Sequence, residues 1–197
     1  MLKEKLKDRH IILASGSPRR QQFFKDLGLD FEVRLKEVKE EYPNKLLHFE
    51  ISDYLAQLKS LPFLDELKDN DILVTSDTIV WHKNTALGKP RNNDEAFAML
   101  KAMSDQTHEV ITSVCIRTKI YQKTVNAVTK VTFKDFTDNE IWHYINNYSP
   151  LDKAGAYGIQ EWIGQIGVVG IEGSFFNVVG MPTHLVYETL NTIADEF

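Results

Sequence analysis

The stretch DILVTSDTIVW, residues 71–81, is the strongest strand signal in the chain. Its β-branched and apolar residues follow one another with few polar breaks, the pattern of a central strand covered on both faces. HKNT reads as the turn that ends it and ALGKP as the return. Asp77 stands in the middle of this run. A buried carboxylate is costly unless it is paired, hydrogen-bonded or bound to a metal. Asp77 therefore reads in one of two ways: a strand-end salt bridge or turn cap, or, beside an anion site, a metal ligand or an acid that activates water.

A second stretch, ILASGSPRRQQFFKDLG at 11–27, predicts a buried strand over 10–15, a tight loop over Gly16–Pro18 and a helix over 18–27 that Gly28 ends. Ser17 suits the cap position and Pro18 the first helical position. A strand that passes through a Ser/Gly loop into a helix start directs several backbone N–H groups at one point, a geometry that favours phosphate. Arg19 and Arg20 then fall in the first turn, where a cation opposes the helix dipole by about 0.3–1 kcal/mol. A bound polyanion reverses that penalty; two arginines that meet solvent or acidic neighbours are the plain alternative. The Gly-Lys of ALGKP lacks the spaced glycine and the following Ser or Thr of a P-loop.

Further elements follow by pattern. FEVRLKEV at 31–38 alternates like a strand, and a polar stretch separates it from a helix over about Ile51 to Lys59. LPFLDELKDN reads as connecting chain. NNDEAFAMLKAM begins with capping residues and predicts a helix; strands are predicted near 109–118 and 124–133. Thr137 and Glu140 have capping-box spacing at the start of TDNEIWHYI. SPLDKAGAYGIQ is a Gly-rich loop, IGQIGVVGI and FFNVV read as strands, and a helix follows Pro182. Strands and helices are interspersed, so the fold class is mixed α/β and the 197 residues read as one domain.

The charge balance bounds the partners. A formal net charge of −5 argues against a general nucleic-acid or anionic-membrane binder, so an anion site has to be local. The single Cys115 excludes an intramolecular disulfide and a thiolate metal cluster, and suits a reducing cytoplasm. No apolar run approaches the ~18 residues of a membrane span. The six histidines show no ligand spacing, and no G-x-S-x-G or Cys–His pairing points to a nucleophile. Taken locally, Glu40 and Glu41 read as a solvated face, and Lys59 and Lys89 as surface lysines with charge to offer a phosphate chain.

Separated pieces, in order, resemble the Maf proteins: LASGSPRR (13–20), SDTIV (76–80), LGKP (87–90), DEAFAML (94–100), HEVITSV (108–114), DKAGAYGIQ (152–160) and VVGMP (178–182). The resemblance implies an α/β fold similar to the inosine triphosphate pyrophosphatases, with two lobes around a central cleft. It implies hydrolysis of a nucleoside triphosphate to the monophosphate and pyrophosphate with a divalent cation, Mg²⁺ or Mn²⁺. Ser15, Arg19 and Arg20 then match the phosphate loop, Lys59 and Lys89 further phosphate contacts, and Asp77 the acceptor of the water proton. Glu40 matches the loop glutamate that holds the metal together with Asp77, with Glu41 as its rival. Three departures stand out: LAQLKS where the family has LA..KA, Ser76 in place of alanine, and Glu161 in place of the usual glycine after Gln160.

Arg19, Thr78 and Gln160 match the positions that mark the family branch acting on dTTP and UTP, rather than the branch acting on 7-methyl-GTP. The Gln160 amide both donates and accepts, which suits the imide edge shared by uracil and thymine. A homodimer is the assembly that the resemblance implies. The competing expectations are a broad or purine-directed pyrophosphatase, and a non-catalytic regulator of septum formation. Asp77, both arginines and both lysines count against the last, since a scaffold without activity has no reason to hold an uncompensated charge cluster.

Overall fold

The computed structural model describes residues 1–196. Along the chain run α1 (Leu2–Lys5), β1 (His10–Leu13), α2 (Pro18–Asp26), β2 (Phe31–Val33), α3 (Phe49–Ser60), β3 (Asp71–His82), β4 (Thr85–Leu87) and α4 (Asn93–Met103). They are followed by β5 (Thr107–Arg117), β6 (Gln122–Phe133), α5 (Asp138–Tyr148), α6 (Trp162–Gly167), β7 (Val168–Glu172), α7 (Phe175–Val179) and α8 (Thr183–Glu196). The strands form one mixed sheet in the order β2-β1-β3-β5-β6-β7, with β4 paired to β3. The fold is mixed α/β. No helix among the described residues is long and apolar enough to cross a membrane.

The chain divides into two compact units. One comprises Met1–Asp77, Thr112–Ala127 and the residues from Gly180 on; the other comprises Thr78–Ile111 and Val128–Val179. In the first unit β1 pairs in parallel with both β2 and β3, and Ile12, Phe63, Leu67 and Leu73 form a buried cluster with Ala14 packed against it. β3 is buried along almost its whole length, as its largely apolar and β-branched pattern predicts. The second unit has its own core, in which Leu100 and Met103 of α4 and Ile141, Tyr144 and Ile145 of α5 gather with Phe133 and Phe136.

Several local features form as their residues dictate. α2 starts with Pro18 in its first turn and ends in a Schellman turn, with Gly28 at φ +69°, Gly28 N–H donating to Lys25 O at 2.9 Å and Leu29 N–H to Phe24 O at 3.1 Å. Thr137 and Glu140 make the reciprocal capping box of α5. Asn92 caps α4 through Glu95 N–H.

Four local expectations fail. The Ser17 side chain makes no cap bond; its N–H instead donates to Ser15 Oγ at 3.3 Å. β2 stops at Val33 rather than residue 38, because the β1 register ends at the Leu13–Val33 pair and leaves an edge strand without a partner. IGQIGVVGI is split, with residues up to Gly167 in α6 and only Val168 onward in β7. FFNVV is helical rather than extended. There Asn177 is buried and its Nδ2 donates to Val110 O and Thr129 Oγ1, both at 2.9 Å, so a tertiary anchor overrides the strand propensity of its neighbours.

Candidate active site

β1, α2, α3, β3 and the long loop after β2 bring the sequence-predicted charges of the first unit together. Asp77 lies on β3 at the limit of this unit, and its side chain is only 7% exposed. Lys59, in the last turn of α3, donates from Nζ to Asp77 Oδ1 at 2.6 Å. The same Nζ stands 3.0 Å from Glu40 Oε1. Two carboxylates therefore converge on one ammonium. This pairing compensates the buried Asp77, and it was not visible from either residue's neighbours in the sequence.

Glu40 and Glu41 differ sharply in their surroundings. Glu40 turns to Lys59, whereas Glu41 pairs with Lys39 at 2.7 Å in a solvent-exposed bridge. Screening leaves such an exposed pair with little energetic weight.

Arg20 is tied into the first unit rather than left at its surface. Its Nε donates to Gly180 O at 3.0 Å and one terminal nitrogen donates to Ser76 O, also at 3.0 Å. The planar guanidinium thus clasps the carbonyl directly before Asp77 to the start of the C-terminal segment, a task suited to a rigid fork of donors. Burial pulls Arg20 below its ordinary value; Asp77 and Glu40 oppose that fall and Arg19 adds to it. These couplings place both arginines and both carboxylates in one electrostatic neighbourhood. Ser15 is buried at the mouth of α2, where its Oγ accepts from Ser17 N–H and its carbonyl accepts from Gln21 Nε2 at 3.2 Å.

Ser76 and Gly180 were not singled out as contacts from the sequence, although both lie within the quoted SDTIV and VVGMP segments. What matters is their backbone oxygens, which leave no side-chain signature. Thr78, Lys89 and Gln160 belong to the second unit. Thr78 is half-buried on β3, Lys89 is exposed after β4, and Gln160 is exposed in the loop before α6.

Glu40 and Asp77 also answer whether a divalent cation suits this site. Among the described residues no three His, Cys, Asp or Glu side chains gather into a cation cage. Mg²⁺ does not need one, since it is commonly held by one or two carboxylates together with substrate phosphates and water. Two hard oxygen donors that already converge on a positive charge fit that requirement.

The model of the family described as Maf-like protein matches residues 10–193. The chain is 63% identical over 193 residues to a Flavobacterium johnsoniae protein named dTTP/UTP pyrophosphatase, covering 98% of this chain and 100% of that one. It is 54% identical over 190 residues to a protein of the same name from Christiangramia forsetii, covering 96% and 97% respectively. Among solved structures, the Staphylococcus aureus Ham1 protein shares the fold, with a TM-score of 0.54 at 16% identity over 94% of this chain and 100% of that one. The family match spans nearly the whole chain, and the chain belongs to the Maf-like protein family.

Proposed function

We propose that this protein is a nucleoside triphosphate pyrophosphatase that hydrolyses dTTP and UTP to the monophosphate and pyrophosphate. The observation that carries the reading is the convergence of Asp77 and Glu40 on Lys59, in the electrostatic neighbourhood of Arg19 and Arg20. The choice of pyrimidine rests on the names of the relatives and on the match at Arg19, Thr78 and Gln160.

In this reading Asp77 orients a water molecule toward the α-phosphorus and takes its proton. Lys59 holds the Asp77 carboxylate in place and adds positive charge toward the phosphates. Arg19, Arg20 and the N–H groups around Ser15 offset the charge that develops on the departing pyrophosphate, where preorganised donors act most strongly. Glu40 and Asp77 would hold the divalent cation, Mg²⁺ or Mn²⁺, which supplies charge neutralisation for phosphate oxygens. Lys89 as a phosphate contact, and Thr78 and Gln160 as base-selecting residues, come from the family resemblance. So does the homodimer; the single Cys115 supports a reducing cytoplasmic setting, the length of 197 residues supports one catalytic domain, and the acidic net charge of −5 supports a reading without nucleic-acid or membrane partners.

The test is turnover of dTTP, UTP, CTP, dATP, GTP and 7-methyl-GTP with Mg²⁺, scoring pyrophosphate against orthophosphate, beside Asp77→Asn. Pyrophosphate from dTTP and UTP that disappears in the variant is the expected result. Orthophosphate as the first product overturns the reaction, and purine-dominated turnover overturns the substrate class.

A further inference from the structure

A buried charge lies in the second unit. Lys153 is 7% exposed, and its Nζ reaches Asp152 Oδ1 at 2.7 Å and Glu161 Oε1 at 3.2 Å. The Asp152 side chain is largely exposed, so water screens that contact; Glu161 is mostly buried and is the stronger partner. The other Glu161 oxygen, Oε2, accepts from the Tyr144 hydroxyl. The same hydroxyl oxygen accepts from Gly158 N–H at 3.0 Å. Tyr144 is fully buried on α5, and burial, reinforced by the Glu161 carboxylate, pushes its hydroxyl well above the usual tyrosine range. It stays protonated and the direction of its bond is fixed.

The two residues gripped by this network, Gly158 and Glu161, bracket Ile159 and Gln160. The segment is held from other sides too. A Cβ placed on Gly158 would stand 2.9 Å from Glu161 Cδ and 3.1 Å from Gln160 Nε2, so both side chains lie directly against that Cα. A Cβ on Gly164 of α6 would overlap the Ile159 carbonyl, so the helix packs on the backbone of Ile159 itself. Ile159 is buried, whereas Gln160 is exposed. An exposed amide is thus carried on backbone that is clamped before it, behind it and beneath it. Glu161 is also the position at which this chain departs from the glycine that follows the glutamine in the resemblance.

We propose that Tyr144, Glu161 and Lys153 are positioning residues that hold the Gln160 amide in the orientation needed to select a uracil or thymine base. The inference rests on the reading of Gln160 as the base-selecting residue. A glutamine side chain has three rotatable bonds, and its hydrogen bonds weaken steeply as angles depart from linearity, so selection by an amide requires a fixed mount. Tyr144 fixes the backbone through Gly158 and the residue after Gln160 through Glu161; Lys153 holds the Glu161 carboxylate turned inward.

The decisive variant is Tyr144→Phe, which removes one oxygen and keeps the ring packed. Glu161→Ala removes the central acceptor, and Glu161→Gln keeps an acceptor for the Tyr144 hydroxyl. The readouts are the ratio of kcat/KM for UTP to that for CTP, the separate kcat and KM values, and amide hydrogen exchange across residues 157–161. In Tyr144→Phe and Glu161→Ala the ratio falls about tenfold, chiefly through a higher KM for UTP, exchange of the segment accelerates, and Glu161→Gln recovers most of the ratio. If both folded variants keep the ratio within about twofold while Gln160→Ala abolishes it, the network has no positioning role and the Gln160 reading stands. If Gln160→Ala itself leaves the ratio unchanged, the reading of Gln160 fails and the inference falls with it. Should Glu161→Ala fail to fold, Tyr144→Phe decides alone.

Discussion

Replacing His108 should remove a measurable part of the pH dependence of stability. His108, on β5, is 2% exposed; its Nε2 pairs with the Tyr157 hydroxyl at 2.7 Å, and its ring packs on Phe133. Its Nδ1 is buried without a hydrogen-bond partner among the described residues. Burial, with a smaller contribution from His82, pulls its pKa from 6.5 down to about 3. A depressed histidine leaves stability intact above the unfolded-state value and erodes it below, because only the unfolded chain takes the proton. The loss therefore begins near pH 6.5 and continues as the pH falls toward 3. Linkage over that window gives about 2 kcal/mol lost between pH 7 and pH 5 from this group alone. With a urea m-value of about 2–3 kcal/mol/M, the unfolding midpoint shifts by about 0.7–1 M. The assay is urea unfolding of the wild type and His108→Gln at both pH values. Gln presents an amide to Tyr157 and does not titrate, so the difference between the two differences isolates His108. Equal losses in both proteins would refute the reasoning.

The site makes two further predictions. Glu40→Gln should lower kcat/KM for UTP by at least about tenfold at limiting Mg²⁺, while Glu41→Gln, which loses only an exposed bridge to Lys39, stays within about twofold; a Mg²⁺ titration of both variants checks this, and equal effects would remove Glu40 from the site. Arg20→Lys exchanges a fork that binds two carbonyls for a single ammonium, which at about 1.5–3 kcal/mol for the lost charge-assisted bond should appear as a lower urea midpoint as well as lower turnover.

Features carried by adjacent residues were legible before the fold was known. The capping box of α5 needs only Thr137 and Glu140 at the right spacing, and β3 needs only two apolar, β-branched runs on either side of a short polar centre. Features that depend on a distant partner were not. The strand after Phe31 looked longer because alternation persists to Val38, yet its length is set by where β1 stops. FFNVV carries strand-forming residues, but its conformation follows from the anchoring of Asn177 to Val110 and Thr129. Within the candidate site, the residue types at Arg19, Arg20, Lys59 and Asp77 were readable as charges that need a reason. Their pairing was not, since Lys59 and Asp77 are separated by 18 positions and meet only because α3 and β3 do.

That pairing changes which argument supports catalysis. From sequence, the charges around Asp77 looked uncompensated, and an uncompensated cluster would itself favour a ligand. In the fold they are largely compensated: Lys59 neutralises Asp77 and draws in Glu40, and Arg20 spends donors on two carbonyls. The cluster can therefore persist without substrate, and its existence alone does not require turnover. The balance of charge is more telling. Arg19, Arg20 and Lys59 share one electrostatic neighbourhood with Glu40 and Asp77, and both arginines sit in the first turn of α2, where the helix dipole opposes them. Two arginines thus stand at a helix start, so an arriving triphosphate would gain from them while it competes with two carboxylates for Lys59. That competition gives the site a cost which a phosphate chain of high charge can offset and a single phosphate offsets less well. Selection for the triphosphate over the monophosphate product then follows from the same contacts that hold Asp77 in place.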